Sequence, residues 1–278
     1  NLKTEIEQLV NSGTCSENSN CDFIAFGSKA CGGPKSYLVF NNSIDVDLLK
    51  EKVLTYNDLE AAFNIKWGII GLGKIAHKFA TDLASTENVT LVAVASRSQQ
   101  NAEEFAEKYQ VKKAFNSYID LAKDPTIDAV YIATPHSFHK EHALLCMQNK
   151  KPVLCEKPFA MNLHEVEEMI ATARENNVLL MEALWTFFLP HFKYVLDIVK
   201  NKKFGNLKNL EADFGFYTPY NTESRLFKKE VGGGSLLDVG IYPIFAALST
   251  LGKPKKIESA ATFFKNGVDS SCSVVFDY

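Results

Sequence analysis

The stretch that most limits what this chain can become is Gly71-Leu72-Gly73-Lys74-Ile75-Ala76, because of what lies on either side of it. An apolar run from Ile65 to Gly71 precedes it and an amphipathic stretch from Lys74 to Ala84 follows, so the glycines fall where a strand turns into a helix. Gly71 permits the tight turn, Gly73 leaves the backbone bare for a close-approaching anion, and Ala76 lets the helix lie close to the sheet. The free N–H groups of the first helical turn, at the positive end of the helix dipole, then suit a diphosphate. The same alternation continues. Strands are predicted at Thr90 to Ala95, Ala129 to Ile132, Pro152 to Cys155 and Leu179 to Glu182, and helices at Gln99 to Tyr109, Phe138 to Asn149 and Asn162 to Asn176. The strands are apolar on both faces, which calls for a parallel, doubly wound sheet covered by helices on each side.

Such a sheet binds its ligand at the carboxyl ends of the strands, and three clusters stand there. After the second strand, where an NAD site would offer a carboxylate to the ribose 2′-hydroxyl, the chain has Ser96-Arg97-Ser98. A guanidinium with hydroxyls beside it suits a 2′-phosphate, so the expected cofactor is NADP in preference to NAD. The other two clusters are Ala133-Thr134-Pro135-His136-Ser137-Phe138-His139 and Cys155-Glu156-Lys157-Pro158.

From Phe192 the alternation weakens. A helix is predicted to Lys200, a strand near Leu207 to Phe216, a turn at Gly232-Gly233-Gly234, a helix to Leu251, and strands at Lys256 to Lys265 and Ser271 to Tyr278. In the last, Cys272, Val274, Phe276 and Tyr278 alternate with Ser271, Ser273, Val275 and Asp277, the pattern of a half-buried antiparallel strand. The sequence stops on it, and an unfinished edge strand is an aggregation hazard, so this second domain reads as truncated.

The fingerprint at 71 to 76, the Thr-Pro-x-x-x-His step and Glu-Lys-Pro, in this order, resemble the glucose–fructose oxidoreductase and inositol dehydrogenase (Gfo/Idh/MocA) family. The segment Met181 to Phe188 with Asp238-x-Gly240-x-Tyr242 looks most like its dihydrodiol dehydrogenase and xylose dehydrogenase branch. The resemblance covers residues 65 to 278. It implies a hydride transfer between NADP and a secondary alcohol of a sugar, polyol or cyclic diol. The cofactor would lie against Gly71, Leu72, Gly73, Lys74, Ile75, Ala76, Ser96, Arg97, Thr134, Pro135, His139, Glu156 and Lys157. Tyr242 would be the acid–base, with Lys157 and Asp238 as its catalytic partners, and Trp185 and His136 would line the substrate pocket. A free Tyr titrates near 10, so Tyr242 needs a positive charge close by, with Lys157 the candidate and Asp238 expected to hold Lys157 or a substrate hydroxyl. The resemblance also implies a homodimer for a full-length version, and the absence of the family's remaining sheet strands puts activity of the chain in doubt.

Plainer roles are weighed for the same residues. His136, His139 and His142 are spaced three apart, do not share one tight helical face and have no carboxylate to complete a set, so no metal is expected. Phe187, Phe188 and Phe192 read as core. With 30 basic against 33 acidic side chains the net charge is −3, which removes the electrostatic argument for nucleic acid or an anionic membrane. No apolar run is expected to approach the roughly 20 residues that span a bilayer. The chain begins at Asn1 with no basic-then-apolar leader, and a cytoplasmic oxidoreductase is the expectation.

Residues 1 to 64 look different. They hold 5 Lys, no Arg and 9 acids, and three of the 6 Cys (Cys15, Cys21, Cys31). A helix is predicted from Leu2, Ile6, Leu9 and Val10, a strand at Tyr37 to Phe40, and a second helix from Asp45 to Phe63. The Cys spacings match no zinc pattern and no His is present, so one disulfide with a spare thiol is expected. The run Cys21 to Pro34 resembles a small secreted bacterial domain that usually carries a fourth Cys, which leaves export open if this segment is natural and oxidised. The expected organisation is therefore an α/β chain: a small Cys-containing α+β segment (1–64), a Rossmann NADP-binding domain (65–184) and an incomplete α+β substrate and dimerisation domain with an antiparallel sheet (185–278). The competing expectation is a catalytically incomplete cofactor-binding or scaffold protein whose first segment is an interaction module.

Overall fold

The computed structural model describes residues 1–13, 15, 20–27, 35–62 and 64–278. Backbone proximity groups the chain into two units, Asn1–Trp67 with His77–Val92, and Gly68–Ala76 with Ala93–Tyr278.

The first unit opens with α1 (Leu2–Asn11), capped by the Asn1 side chain, which accepts from the Lys3 N–H at 3.0 Å. β1 (Cys21–Phe26) and β2 (Ser36–Asn41) pair antiparallel, with Phe23 opposite Val39, and α2 (Val46–Ala62) follows. Ile6, Phe26, Phe40, Leu49 and Val53 close a small core of their own. β1 was not anticipated, although Phe23 to Phe26 within it is apolar; the Cys and Ser around it masked the pattern. A disulfide joins Cys15 to Cys21, and Cys31 lies outside the described residues. Within this unit Asn64 and Thr90 exchange side-chain hydrogen bonds, the Ile65 N–H donates to Asn88 O at 2.9 Å, and Lys35 reaches the Asn88 side chain.

The second unit holds the site. The parallel sheet has the order β5-β4-β3-β6-β7-β8, from β3 (Ile65–Ile70), β4 (Val89–Ala95), β5 (Lys113–Phe115), β6 (Ala129–Ile132), β7 (Val153–Glu156) and β8 (Leu180–Ala183). The helices between them are α3 (Lys74–Ala84), α4 (Gln99–Tyr109), α5 (Tyr118–Lys123), α6 (His139–Gln148) and α7 (Leu163–Asn176). β5 and α5 are short and escaped the sequence reading. Every residue of β6 is buried, as a central strand covered on both faces requires. The chain order reverses between β3 and β6, the switch point that leaves a crevice at the strands' carboxyl edge.

Beyond β8 come a short turn, Trp185–Phe188, α8 (Pro190–Lys200), α9 (Ile241–Leu251) and the antiparallel pair β9 (Lys256–Phe263) and β10 (Asp269–Asp277). The alternation read at the end of the sequence is visible in β10, whose residues alternate between half-buried and exposed. Three expectations are corrected here. Leu207 to Phe216 forms no strand: a ladder needs a partner, and none of the three sheets includes it. Phe187 and Phe188 are not core; they are 44% and 48% exposed, and Phe187 packs with Phe192 on Phe245 in an open aromatic cluster. Finally, Lys229–Leu251 is a helical run of 23 residues long and apolar enough to cross a bilayer by length and composition, contrary to the expectation. It carries the Gly232-Gly233-Gly234 turn, a buried Asp238 and Pro243, and it reads as the site's own helix. A widened, π-type turn at Leu236–Gly240 precedes Pro243, which lacks the N–H that an ordinary helical turn would use.

Candidate active site

One crevice of about 1130 Å³ at the carboxyl edge of the sheet collects nearly all of the residues singled out in the sequence. Its floor is the turn after β3. Gly71 has φ +86, and a Cβ there would stand 2.7 Å from the Thr134 backbone N and 2.8 Å from the Ala133 carbonyl carbon, so only glycine lets the β3 and β6 loops meet. Gly73 is the opposite case: a Cβ there would meet nothing within 4 Å, and the space it would fill lies open beside the first N–H groups of α3. Ala76 is fully buried, which holds α3 on the sheet. Leu72, Lys74 and Ile75 line the crevice along the same turn. The turn forms a cradle that leaves the backbone bare at Gly73, where an anion would need it, and closed at Gly71, where the fold needs contact.

At one end of the crevice stand Ser96 and Arg97 with Tyr118, whose phenol burial pushes up in pKa against the opposing pull of the Arg97 guanidinium. The Ser98 hydroxyl is spoken for, since it caps α4 by accepting from the Asn101 N–H at 3.3 Å. Of the two hydroxyls beside Arg97, Ser96 is therefore the one that lines the crevice. The residues fit the dinucleotide that a sheet of this kind binds at its carboxyl edge.

The Thr134 to His139 loop closes the middle. The Thr134 hydroxyl is 3.0 Å from His142 Nδ1. His139, fully buried, has Nδ1 2.8 Å from Pro158 O and Nε2 2.9 Å from Thr134 O, so it bridges the loops after β6 and β7. Both nitrogens face carbonyl acceptors, and burial pulls its pKa down; it is a strut between loops rather than a group open to a substrate proton. His136 is also buried: Nδ1 lies 2.9 Å from Gly232 O, Nε2 lies 4.0 Å from Asp238 Oδ1, and burial lowers its pKa to about 4. It is thus neutral at pH 7, and it lines the crevice from within its wall. No three His, Cys, Asp or Glu among the described residues stand close enough to hold a metal.

At the other end, β7 delivers Glu156 and Lys157. Glu156 accepts a short hydrogen bond from the buried Tyr131 phenol and another from the Lys157 N–H at 3.2 Å, and burial raises its carboxyl pKa. Lys157 Nζ donates to Asp238 O at 2.6 Å and to Asp238 Oδ1 at 3.4 Å, and sits 5.2 Å from the centre of the Tyr242 ring. Arg225 Nη2 adds a bond to the same Asp238 oxygen at 3.1 Å. Burial opposes the Asp238 charge, but the Arg225 and Lys157 cations outweigh it and hold the carboxyl below its ordinary range. Tyr242 lines the crevice with Trp185 and Phe214, whose ring centres are 6.4 and 5.4 Å away. Trp185 is 54% exposed, hence a wall residue and not core.

Arg225, Tyr131, Tyr118 and Phe214 were not singled out in the sequence. Arg225 opens a short 3₁₀ turn where no spacing marks it, and Tyr131 is indistinguishable from any apolar residue of a central strand.

A Gly-rich strand-to-helix cradle and a Lys–Asp–Tyr cluster in one crevice define an NAD(P)-binding Rossmann protein of the oxidoreductase type. Residues 65–184 match the profile described as "Oxidoreductase family, NAD-binding Rossmann fold", and residues 192–278 match the GFO/IDH/MocA C-terminal domain. The chain belongs to the GFO/IDH/MocA family. It is 41% identical over 217 residues to trans-1,2-dihydrobenzene-1,2-diol dehydrogenase of Xenopus laevis, covering 77% of this chain and 65% of that one. It is 39% identical over 221 residues to the scyllo-inositol 2-dehydrogenase (NADP(+)) IolU of Bacillus subtilis, covering 77% and 66%. Among solved structures it is similar to a 3-ketoreductase from Actinomadura kijaniata in complex with NADP and TDP-benzene, at a TM-score of 0.65 and 27% identity over 75% of this chain and 64% of that one. The chain thus spans 65% of the length of the first of these relatives.

Proposed function

We propose that this chain is the NADP-binding and catalytic part of an oxidoreductase that moves a hydride between the nicotinamide and a secondary alcohol carbon of a sugar, polyol or cyclic diol. The observation that carries this reading is the Lys157–Asp238–Tyr242 cluster standing in the same crevice as the Gly71 to Ile75 cradle. The relatives named as diol and inositol dehydrogenases, one of them with NADP, support the substrate class and the cofactor.

When bound, the nicotinamide supplies the hydride acceptor or donor. The rest is work for the chain. Tyr242 takes the hydroxyl proton as the alcohol is oxidised and returns it on reduction, and Lys157 stabilises the negative charge that develops on that oxygen and on the phenol. Asp238, itself held by Arg225, fixes the Lys157 ammonium in place. Trp185 and Phe214 offer apolar faces against which a hydroxylated ring lies flat. Arg97 and Ser96 select the 2′-phosphate, and hence NADP over NAD.

The test is direct. NADPH fluorescence should change on titration with the protein, and absorbance at the nicotinamide band should then report turnover with a panel of sugars, inositols and cyclic diols, faster with NADP than with NAD. A chain that leaves NADPH fluorescence untouched is not an NADP-binding oxidoreductase.

A further inference from the structure

The turn between β9 and β10 reaches into the candidate active site without lining it. Asp269, the first residue of β10, places its Oδ2 2.7 Å from Ser235 Oγ and 2.7 Å from the Leu236 N–H, so it accepts from both. Those are the opening residues of the helical segment that carries Asp238 and Tyr242, a segment whose own Ser235 caps nothing. Gly234 makes room for the carboxylate: its φ is +127, and a Cβ on it would lie 1.9 Å from Asp269 Oδ1. Three residues before Asp269, Asn266 Nδ2 donates to Phe227 O at 2.6 Å. Phe264, just before it, packs its ring 5.1 Å from both Phe227 and Tyr220. Phe227 closes the short turn that begins with Arg225.

We propose that Asp269 is a positioning residue of the candidate active site: delivered by the β9–β10 turn, its carboxylate caps the segment carrying Asp238 and Tyr242, while Asn266 from the same turn anchors the loop carrying Arg225. The proposal rests on the oxidoreductase reading for its consequence in turnover. Backbone N–H groups at the start of a helical segment have no partner within it, and a carboxylate there meets both the hydrogen-bonding need and the positive end of the segment's dipole. Without it the segment loses its fixed start, two residues from Asp238 and six from Tyr242. Positional slack of about 1 Å at a reacting group costs on the order of a hundredfold in rate.

The experiment compares the full chain with Asp269→Ala and Asp269→Asn. Backbone amide exchange should accelerate by about tenfold or more over residues 235–242 in Asp269→Ala, as expected for a lost cap of 1.4 kcal/mol. Exchange in β6 and NADPH affinity should stay at parental values. Turnover should fall by about 10- to 100-fold, and Asp269→Asn, which keeps an acceptor oxygen, should recover most of both effects. Parental exchange over 235–242 in Asp269→Ala overturns the proposal, and so does a loss of protection that extends to β6, since the residue would then serve the fold at large. If the parent fails to bind NADPH, the oxidoreductase reading falls, while the exchange arm still decides whether Asp269 caps the segment.

Discussion

Lys157 crosses from the end of β7 to the helical segment ahead of α9, where its Nζ meets both the carbonyl oxygen and the carboxylate of Asp238, at 2.6 and 3.4 Å. The ammonium is thereby fixed at two points and held over the Tyr242 ring. Arg225, on the same carboxylate oxygen, keeps Asp238 charged, so Lys157 is positioned by an anion that is itself held by a second cation. The three residues come from positions 157, 225 and 238, and the arrangement exists only in the folded chain.

If this cluster moves the substrate proton, Tyr242→Phe should slow turnover by roughly 10² to 10⁴ while leaving NADP affinity nearly intact. Lys157→Met should lower both turnover and substrate affinity. Steady-state kinetics across pH check this; parental turnover in Tyr242→Phe places the proton donor elsewhere.

Cofactor choice should turn on Arg97. If Arg97 pairs with the 2′-phosphate, its removal deletes a charge-assisted contact of about 1.5–3 kcal/mol, so Arg97→Ala should weaken NADP binding by roughly ten- to a hundredfold and hardly change NAD binding. Fluorescence titrations with both reduced cofactors measure it, and equal losses for the two would contradict the assignment.

The two glycines of the cradle should fail differently. Gly71→Ala forces a Cβ onto the Thr134 backbone at a positive φ and should lower the melting temperature markedly. Gly73→Ala meets open space, so the fold should keep its melting temperature and lose NADPH affinity instead. Thermal denaturation and NADPH titration, run on both variants, separate the effects.

His136 and His142 are each pushed down to about 4 by burial. The unfolded chain binds these protons near 6.5 and the folded chain resists them, so each contributes stability that is complete above about 6.5 and is lost as pH falls towards 4. Glu156 and Glu182, whose carboxyls burial pushes up, act in the opposite sense. Imidazole NMR signals isolate the histidines: both rings should remain neutral down to about pH 5, and a midpoint near 6.5 for either would contradict its buried setting.

The first segment should be separable from cofactor binding. It has its own core around Ile6, Phe40 and Leu49. A chain beginning at Ile65 should bind NADPH with unchanged affinity, at a lower melting temperature because the Asn64–Thr90 and Lys35–Asn88 contacts are gone. A large fall in affinity would show that the segment supports the crevice.

What the sequence determined by itself was local, and β1, β5 and α5 escaped even there. The Gly71 to Ala76 turn, the apolar runs of the parallel sheet and the β10 alternation are written in spacings of two and of three to four residues, because strand and helix periodicity are set by the backbone. Lys157 and Tyr242 were legible through short motifs at strand and helix ends. The tertiary structure alone decided which of these side chains meet. Whether Asp238 would hold Lys157 or a substrate hydroxyl was open in the sequence; folding gave it both Lys157 and Arg225 as partners, and set His139 between two backbone carbonyls. The same holds for Leu207 to Phe216, whose alternation fits a strand yet forms none. A ladder, a buried charge and a cap such as Asp269 each require a partner distant in the chain, and no periodicity within one segment encodes where that partner will be.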